Sequence, residues 1–140
     1  MIQLTDEMRQ AINNALADGY PCLVATAAAD GRPDITFKGS TMVLDEESLA
    51  WWERSKGTAL SNVEANPHVA IVYRNPTQRL GWRFYGLAAI HRQGPLREEV
   101  LAQVIPPELE RDPQRQGYAV VVRVDRVASI AAATVLQERD

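Results

Sequence analysis

Two short polar clusters in the first half of the chain have the residue types to bind an anion. The first consists of Lys38, Ser40 and Thr41, and the second of Ser55, Lys56, Gly57 and Thr58. The second cluster lies where the sequence predicts that a strand ends and a helix begins. Its donors would therefore act on an anion together with the partial positive charge at the start of the helix. A lysine, hydroxyls and a glycine at such a helix start are typical of phosphate sites. The pattern therefore predicts a phosphate site at this junction.

The two clusters can form one site only if the preceding strand directs its polar side chains toward the helix start. The two-residue period of a strand places Lys38 and Ser40 on the same face, where they would converge with the second cluster. Thr58 is the best candidate for the helix cap, and Gly57 would let a ligand approach the backbone. The alternative is that Thr58 only caps the helix and that Lys38 and Lys56 are solvated. Spacing alone is compatible with either arrangement.

Three tryptophans are candidates for stacking on a planar ligand. Trp51 and Trp52 are adjacent on a predicted strand, so their side chains point to opposite faces of the sheet. One of them should lie in the core and the other at a surface, a groove or a subunit contact. Trp82 lies on a later predicted strand, where the same alternation separates it from Tyr85. An exposed indole could stack on a planar ring, although aromatic side chains more often fill cores and interfaces.

The sequence lacks the patterns of several common active sites. His68 and His91 have no carboxylate or cysteine at a recognised metal-ligand spacing, so no metal site is predicted. There is no Gly-x-Ser-x-Gly elbow, Ser-His-Asp arrangement, nucleotide-hydrolase phosphate loop or dinucleotide fingerprint. Cys22 is the single cysteine, which excludes an internal disulfide and is typical of a reducing compartment. We therefore nominate no side chain as a catalytic acid, base or nucleophile.

Length and charge restrict the classes of partner. The 140 residues suffice for one domain with its own core, so we expect a single domain over residues 1–140. The formal net charge is -3 and the basic residues are spread along the chain, which argues against nucleic acid but not against a small phosphorylated ligand. The sequence shows neither a signal peptide nor a long apolar run, so we expect a cytoplasmic protein without a membrane partner.

The order of the predicted elements indicates a mainly β protein with short helices. A capped helix should begin after Thr5 and run to about residue 18, and two further helices are predicted over 59–65 and from 95 to about 105. Strands are predicted over 21–27, 33–44, 49–53, 69–73, 80–92 and 118–124, and the last of them is expected to continue over 127–135 after a kink near Asp125. Asp30-Gly31 predicts a hairpin turn, Gly86 a bulge or close approach, and the charged segment 108–117 a solvated loop. Hairpins connect most of these strands, so we expect a six-stranded antiparallel barrel, closed or nearly closed.

This order of pieces resembles the flavin-binding split barrels related to pyridoxamine 5'-phosphate oxidase. The pieces are the leading helix, the hairpin PCLVATAAADGRPDITFKGSTMV, the segment SLAWWERSKG that leads into TALSNVEANPHVAIVY, and the long strand GWRFYGLAAI. Together they cover the chain from Leu4 to Arg92. The most specific piece is the predicted helix end Ala65-Asn66-Pro67-His68-Val69 before a buried strand.

The resemblance implies an FMN-binding homodimer with a split β-barrel fold and the flavin ring at the subunit interface. Carried onto this sequence, it implies the following contacts: Lys38, Ser40 and Thr41 along the flavin edge, Trp51 and Trp52 through backbone or ring, Ser55, Lys56 and Thr58 on the phosphate, and Trp82 on the flavin of the other subunit. The implied function is an FMN-dependent oxidoreductase acting with a small-molecule substrate or electron donor. The alternatives are a non-catalytic flavin store or sensor, and a relative that binds deazaflavin or haem.

The chain also departs from the family pattern in two places. Members of the oxidase type usually have a basic pair in the first turn of the helix after the tryptophans, where this sequence has Thr58 and Ala59. The carboxyl-terminal tryptophan, arginine and histidine that grip pyridoxal phosphate in true oxidases have no counterpart after Tyr118. We therefore do not expect oxidation of pyridoxamine phosphate itself.

Overall fold

The structure of the chain, a computed structural model, describes residues 1–140. Its helices are α1 (Asp6–Asn13), α2 (Thr58–Ala65), α3 (Pro95–Leu101) and α4 (Pro106–Leu109). Its strands are β1 (Leu23–Ala27), β2 (Pro33–Phe37), β3 (Met42–Asp45), β4 (Ser48–Glu53), β5 (His68–Asn75), β6 (Leu80–His91), β7 (Tyr118–Ala128) and β8 (Val135–Glu138). The predicted class, mainly β with short helices, is confirmed. None of the helices is long and apolar enough to cross a membrane.

All the strands belong to one antiparallel sheet, in the order β2-β1-β5-β6-β7-β4-β3, with β8 paired to β7. The long strand β7 pairs with β6 along one edge. Along its other edge it pairs first with β4, through residues 118–123, and then with β8, through residues 126–128. The strand β7 therefore joins the two halves of the sheet, and β2 and β3 lie at the ends of the strand order.

The sheet has eight strands rather than the predicted six, because turns divide two of the predicted strands. The second predicted strand is interrupted where the Thr41 N–H donates to the Lys38 carbonyl at 3.1 Å, which separates β2 from β3. The last predicted strand is interrupted where the Ser129 N–H donates to the Thr134 carbonyl at 2.8 Å, which separates β7 from β8. Both interruptions change the direction of the backbone, and the first places Lys38 in a turn.

The predicted helix start at Thr5 is confirmed, because the Thr5 hydroxyl accepts a hydrogen bond from the Met8 N–H at 3.2 Å. The helix ends at Asn13 rather than near residue 18. The Asn14 side-chain amide donates to the Gln10 carbonyl at 2.8 Å, so that it competes for a helical acceptor at the point where regular geometry stops. The apolar face of α1 still reaches the core through the buried Met8 and Ile12.

Two apolar cores lie on opposite faces of β4. The larger core includes Trp51, Tyr73 and Phe84. The smaller core includes Trp52, which packs with Val100 of α3 and with Val104. The two tryptophans thus point to opposite faces, as predicted, but the expectation that one of them is exposed is wrong. Their exposed fractions are 0% and 2%, because α3 covers the face that Trp52 occupies.

Gly86 lies at a bulge, as the sequence predicts. The pairing register between β6 and β7 shifts between Tyr85 and Gly86. A Cβ atom at Gly86 would overlap the carbonyl oxygen of Arg123 and would lie 2.9 Å from a methyl group of Val122. Only glycine therefore allows β7 to approach β6 this closely.

Candidate functional site

The donors that the sequence assigns to a phosphate converge on a carboxylate of the chain itself. Glu53, the last residue of β4, is fully buried. One carboxylate oxygen lies 2.9 Å from the Lys38 ammonium and accepts a hydrogen bond from Trp51 Nε1 at 3.0 Å. The other oxygen accepts hydrogen bonds from the Ser55 hydroxyl at 2.9 Å and from the Lys56 backbone N–H at 3.0 Å. The site therefore already contains an anion.

Strand geometry and a tight turn explain why these groups meet. Residues two apart on a strand share a face, so Glu53 lies on the same face of β4 as the core residue Trp51. The chain then turns back at Lys56, whose φ of 53° is in the left-handed region. This turn returns the Lys56 N–H to the carboxylate, and the turn after β2 brings Lys38 to it from the other side.

The hydrogen bonds of Glu53 keep it ionised in spite of its burial. Burial alone would raise the pKa of the Glu53 carboxyl. The hydrogen bond and the positive charge of Lys38, with hydrogen bonds from Trp51 and Ser55, outweigh burial and hold that pKa below its ordinary value. Lys38 and Glu53 thus form a buried ion pair, so Lys38 is not the solvated lysine of the alternative reading.

Two other residues of the predicted site bind backbone groups instead of facing a ligand. The Ser40 hydroxyl accepts from the Trp52 N–H at 2.9 Å and donates to the Trp52 carbonyl at 3.2 Å. The Thr41 hydroxyl donates to the Lys38 carbonyl at 2.7 Å. The Ser40 hydroxyl holds the turn after β2 against β4, and the Thr41 hydroxyl closes the turn itself, so both stabilise the turn that carries Lys38.

The start of α2 lacks the side-chain cap that the sequence assigns to Thr58. Gly57 is the cap residue, Thr58 is the first residue of the helix, and no side chain caps the helix. The Lys56 ammonium lies 4.1 Å from the centroid of the Tyr118 ring, away from Glu53. The structure therefore brings Ser55 and the Lys56 backbone to the carboxylate, but it does not bring the Thr58 hydroxyl or the Lys56 ammonium there.

A small cavity adjoins this cluster. It has a volume of about 190 Å³, and Lys38, Ser40 and Ser55 are among the residues that line it. Arg54 and Glu108 also line it and form an ion pair at 3.2 Å. The cavity is smaller than the 300–1,000 Å³ typical of sites for whole cofactors. It offers room for a small anionic group but not for a flavin ring.

Most side chains of the charged segment 108–117 are exposed, as the sequence predicts, but Asp112 orders the segment. Asp112 Oδ2 accepts from Trp52 Nε1 at 2.8 Å and from the Gly117 N–H at 2.8 Å, and Oδ1 accepts from the Gln116 N–H at 3.0 Å. Burial alone would raise the pKa of Asp112, but these hydrogen bonds and the charge of Lys56 lower it below its ordinary value. The loop therefore forms part of the cover over Trp52.

A second region with binding character lies on the face of the sheet opposite to the larger core, which we call the outer face. A row of register partners crosses it from strand to strand: Ile35, Ala25, Ala70, Tyr85 and Arg126. Ile35 and its neighbour on the same face, Phe37, are 67% and 64% exposed. The α3 helix packs against β4 and β7. The α2 helix contacts β1, β2 and β6 from the side of the larger core, which includes its Val63, so the β1, β2, β5 and β6 part of the outer face has no helical cover.

The outer face contains a groove of about 390 Å³. Four polar or aromatic residues line it together with Gly86 and residues of β1 and β5: His68, Tyr85, Asp125 and Arg126. The Arg126 guanidinium lies 4.4 Å from the centroid of the Tyr85 ring, so the two side chains form a flat, partly charged wall. Trp82 is not part of this wall, because its ring faces the larger core and stacks on Tyr73 with 5.9 Å between the ring centroids.

Sequence reasoning missed Glu53 and gave too little weight to Tyr85. The signal for Glu53 was the spacing Trp51-x-Glu53, which places a carboxylate on the inward face and so requires a buried partner for it. The signal for Tyr85 was the alternation along β6 that separates it from Trp82. In both cases the alternation of side chains along the strand predicts which face the residue occupies.

Comparison with known proteins identifies a family model and relatives that match nearly the whole chain. The family model described as pyridoxamine 5'-phosphate oxidase matches residues 4–130. An uncharacterised protein of Methanocaldococcus jannaschii is 24% identical over 132 residues, which cover 93% of this chain and 83% of that protein.

Two of the matched solved structures are 26% and 27% identical to the chain. HupZ of Group A Streptococcus is 26% identical with a TM-score of 0.75, over 95% of this chain and 98% of that chain. A putative pyridoxamine 5'-phosphate oxidase from Lactobacillus delbrueckii is 27% identical with a TM-score of 0.69, over 91% and 94%. The predicted split β-barrel fold is thereby confirmed.

More distant structures share the fold and are named for different ligands. An FMN-binding protein from Syntrophomonas wolfei is 9% identical with a TM-score of 0.66, over 96% of this chain and 87% of that chain. The haem storage protein HutZ of Vibrio cholerae is 20% identical with a TM-score of 0.61, over 90% and 94%. An F420 reductase is 21% identical with a TM-score of 0.59, over 78% and 89%.

Proposed function

We propose, from the premise that this chain belongs to the pyridoxamine 5'-phosphate oxidase family, that it is a flavin-dependent oxidoreductase whose flavin ring lies between two copies of the chain. The observation that supports this proposal is the outer face, where a row of apolar side chains ends at Tyr85 and Arg126 and has no cover from α3. FMN is the flavin named for one protein of the same fold.

The groove on the outer face fits a planar ring. Sites for such rings are mainly apolar, with few polar groups. Ala25 and Ala70 leave space above the strands, and Tyr85 with Arg126 provides a wall against which a ring can stack. The side chains that line the groove would bind the ring, orient it and exclude water from one of its faces.

The predicted phosphate donors do not fit the phosphate of FMN in the arrangement that the structure shows. Lys38, Ser55 and the Lys56 N–H are all bound to Glu53. A phosphate at this position would lie against a buried carboxylate of the same charge, which is strongly unfavourable. The contacts that support flavin binding are therefore those to the ring, and no contact is assigned to the phosphate.

A flavin would itself supply the hydride or electron chemistry when bound. The protein would act with a small-molecule substrate or electron donor, and none of its own side chains is assigned as an acid or base. Reduction of the bound flavin by a nicotinamide, followed by turnover with an electron acceptor, would distinguish an oxidoreductase from a flavin store.

The second copy is the occupant that we propose for the uncovered part of the outer face. Large apolar side chains that remain exposed in a single chain mark interaction surfaces, and Ile35 and Phe37 are the two most exposed of this kind on the outer face. They lie on β2, at one end of the strand order. Two such faces can cover each other about a two-fold axis, the commonest symmetry of small oligomers.

The test is flavin titration together with measurement of the molecular mass in solution. We expect a dimer that binds riboflavin or FMN, and we expect Phe37→Asp to abolish both dimerisation and flavin binding. Leu96→Asp is the matched control, because Leu96 is also an exposed apolar residue but lies on α3. A wild-type chain that stays monomeric and binds no flavin would contradict the proposal.

Haem is the second candidate ligand, and the position of His68 favours it. His68 is exposed and lines the same groove as Tyr85 and Arg126. A neutral imidazole is a common ligand of haem iron. If haem is the ligand, its addition should produce a Soret band that shifts or disappears in His68→Ala, whereas flavin binding should be little affected by the same substitution.

A further inference from the structure

We propose that Glu53 determines ligand specificity by filling, from within the chain, the anion site that Lys38, Ser55 and the Lys56 backbone form. The inference rests on the proposed function in one respect: a flavin bound to this chain would be held without a phosphate in that site. Independently of any flavin, the site should accept an external anion only when the Glu53 charge is removed.

The first argument is that the carboxylate and its donors satisfy each other. Two carboxylate oxygens offer about four acceptor positions. Lys38, Trp51, Ser55 and the Lys56 N–H supply four donors at 2.9 to 3.0 Å. Each group that would hold an external anion is therefore already bound to Glu53, and only the Lys38 ammonium has further N–H donors.

The second argument is electrostatic. The Glu53 side chain is fully buried, so water does not screen its charge from a neighbouring group. A phosphate that entered the cluster would bring about two further negative charges close to it. The single ammonium of Lys38 cannot neutralise both anions.

The third argument is that space for a small anion exists beside the donors. The cavity of about 190 Å³ is lined by Lys38 and Ser55, which are two of the groups that bind Glu53. The remaining basic side chain of this cavity, Arg54, is already paired with Glu108. Lack of space therefore does not prevent an external anion from binding. The donors prevent it, because they are already bound to Glu53.

These arguments define a substitution that should open the site. Glu53→Gln keeps the size of the side chain and removes its charge, so the buried Lys38 ammonium loses its counter-ion. The double variant Lys38→Met/Glu53→Gln is the matched control, because it removes the cation as well. An inorganic anion should bind to the single variant and not to the control.

The experiment measures the melting temperature in phosphate and in chloride at equal ionic strength. We expect no phosphate-specific shift for the wild type, a rise of several degrees for Glu53→Gln, and no shift for the double variant. A phosphate-specific rise in the wild type that Lys38→Met abolishes would overturn the inference, as would a folded Glu53→Gln that gains nothing from phosphate.

A second measurement uses only the wild type and so does not depend on the folding of a variant. The dissociation constants of riboflavin and FMN should agree within about threefold, because the phosphate makes no charged contact in this site. Wild-type preference for FMN of tenfold or more, lost in Lys38→Met, would overturn the inference. If neither flavin binds, the proposed function fails, and the phosphate-dependent melting still decides the role of Glu53.

Discussion

The ammonium of Lys38 lies 2.9 Å from a carboxylate oxygen of Glu53, and the two side chains are 11% and 0% exposed. A buried pair of this kind contributes little compared with an apolar pair of the same size, because both charges lose their hydration. Removing one partner is a different matter, since the remaining charge stays buried without compensation. Loss of either partner alone is therefore costly, whereas loss of both together is not.

The first prediction concerns Lys38→Met. We expect the free energy of unfolding to fall by about 3–5 kcal/mol, because Glu53 would keep three neutral donors but lose its only cation. Urea denaturation measures the change. Lys56→Met is the control, because its ammonium contacts the Tyr118 ring and not Glu53, so its loss should cost at most about 1 kcal/mol. Equal losses for the two variants would show that Lys38 has no special partner.

The second prediction concerns pH. Because the folded-state pKa of Glu53 lies below its ordinary value, the stabilisation is complete above the unfolded-state pKa of about 4.3 and is lost as pH falls through the folded-state pKa. The wild type should therefore exceed Glu53→Gln in stability at neutral pH, and the difference should shrink below about pH 4. Urea midpoints between about pH 3 and pH 7 test this, and a difference that does not depend on pH would exclude ionised Glu53 as its cause.

The third prediction concerns the bulge at Gly86. Gly86→Ala should destabilise the chain by about 2–3 kcal/mol, because the new methyl group would overlap a backbone carbonyl that cannot move without disturbing β7. Gly57→Ala is the control for steric overlap, since no atom lies within 4 Å of a Cβ at that position. Alanine is a poorer helix cap residue than glycine, so we expect the control to cost about 1 kcal/mol, which is less than the cost of Gly86→Ala. Thermal denaturation of both variants provides the comparison.

The fourth prediction concerns the cover over Trp52. Asp112→Ala removes the acceptor of three hydrogen bonds and should cost about 2 kcal/mol. The segment 112–117 should also become more sensitive to proteolysis. Glu110→Ala is a matched control, because Glu110 is exposed and its side chain makes no hydrogen bond, so the expected change is within about 0.5 kcal/mol. Similar protease sensitivity in both variants would contradict the role of Asp112.

Local rules predicted those parts of the fold that depend on neighbouring residues. Thr5 caps α1, the Asp30-Gly31 pair turns the first hairpin, and Gly86 lies at the bulge. Each of these follows from the backbone preference or hydrogen-bonding capacity of one or two residues. The opposite directions of Trp51 and Trp52 follow from strand alternation, which is also a local property.

Long-range packing determined what the sequence could not predict. The cover over Trp52 comes from residues about 45 to 60 positions further along the chain, including Val100 and Asp112. The partner of Lys38 is fixed by how the turn after β2 lies against β4, and the sequence pattern gives no distance between the two. A lysine and hydroxyls near a helix start therefore predict an anion correctly but not its identity, which here is Glu53.

The position of Trp52 and Glu53 on consecutive residues of β4 has a mechanical consequence. Trp52 contacts α3 and Asp112 on one face of the strand. Glu53 binds Lys38 and Ser55 on the opposite face. A displacement of α3 that carries the Trp52 backbone with it must also shift the carboxylate relative to its donors. The strand therefore couples the packing of α3 to the geometry of the buried carboxylate.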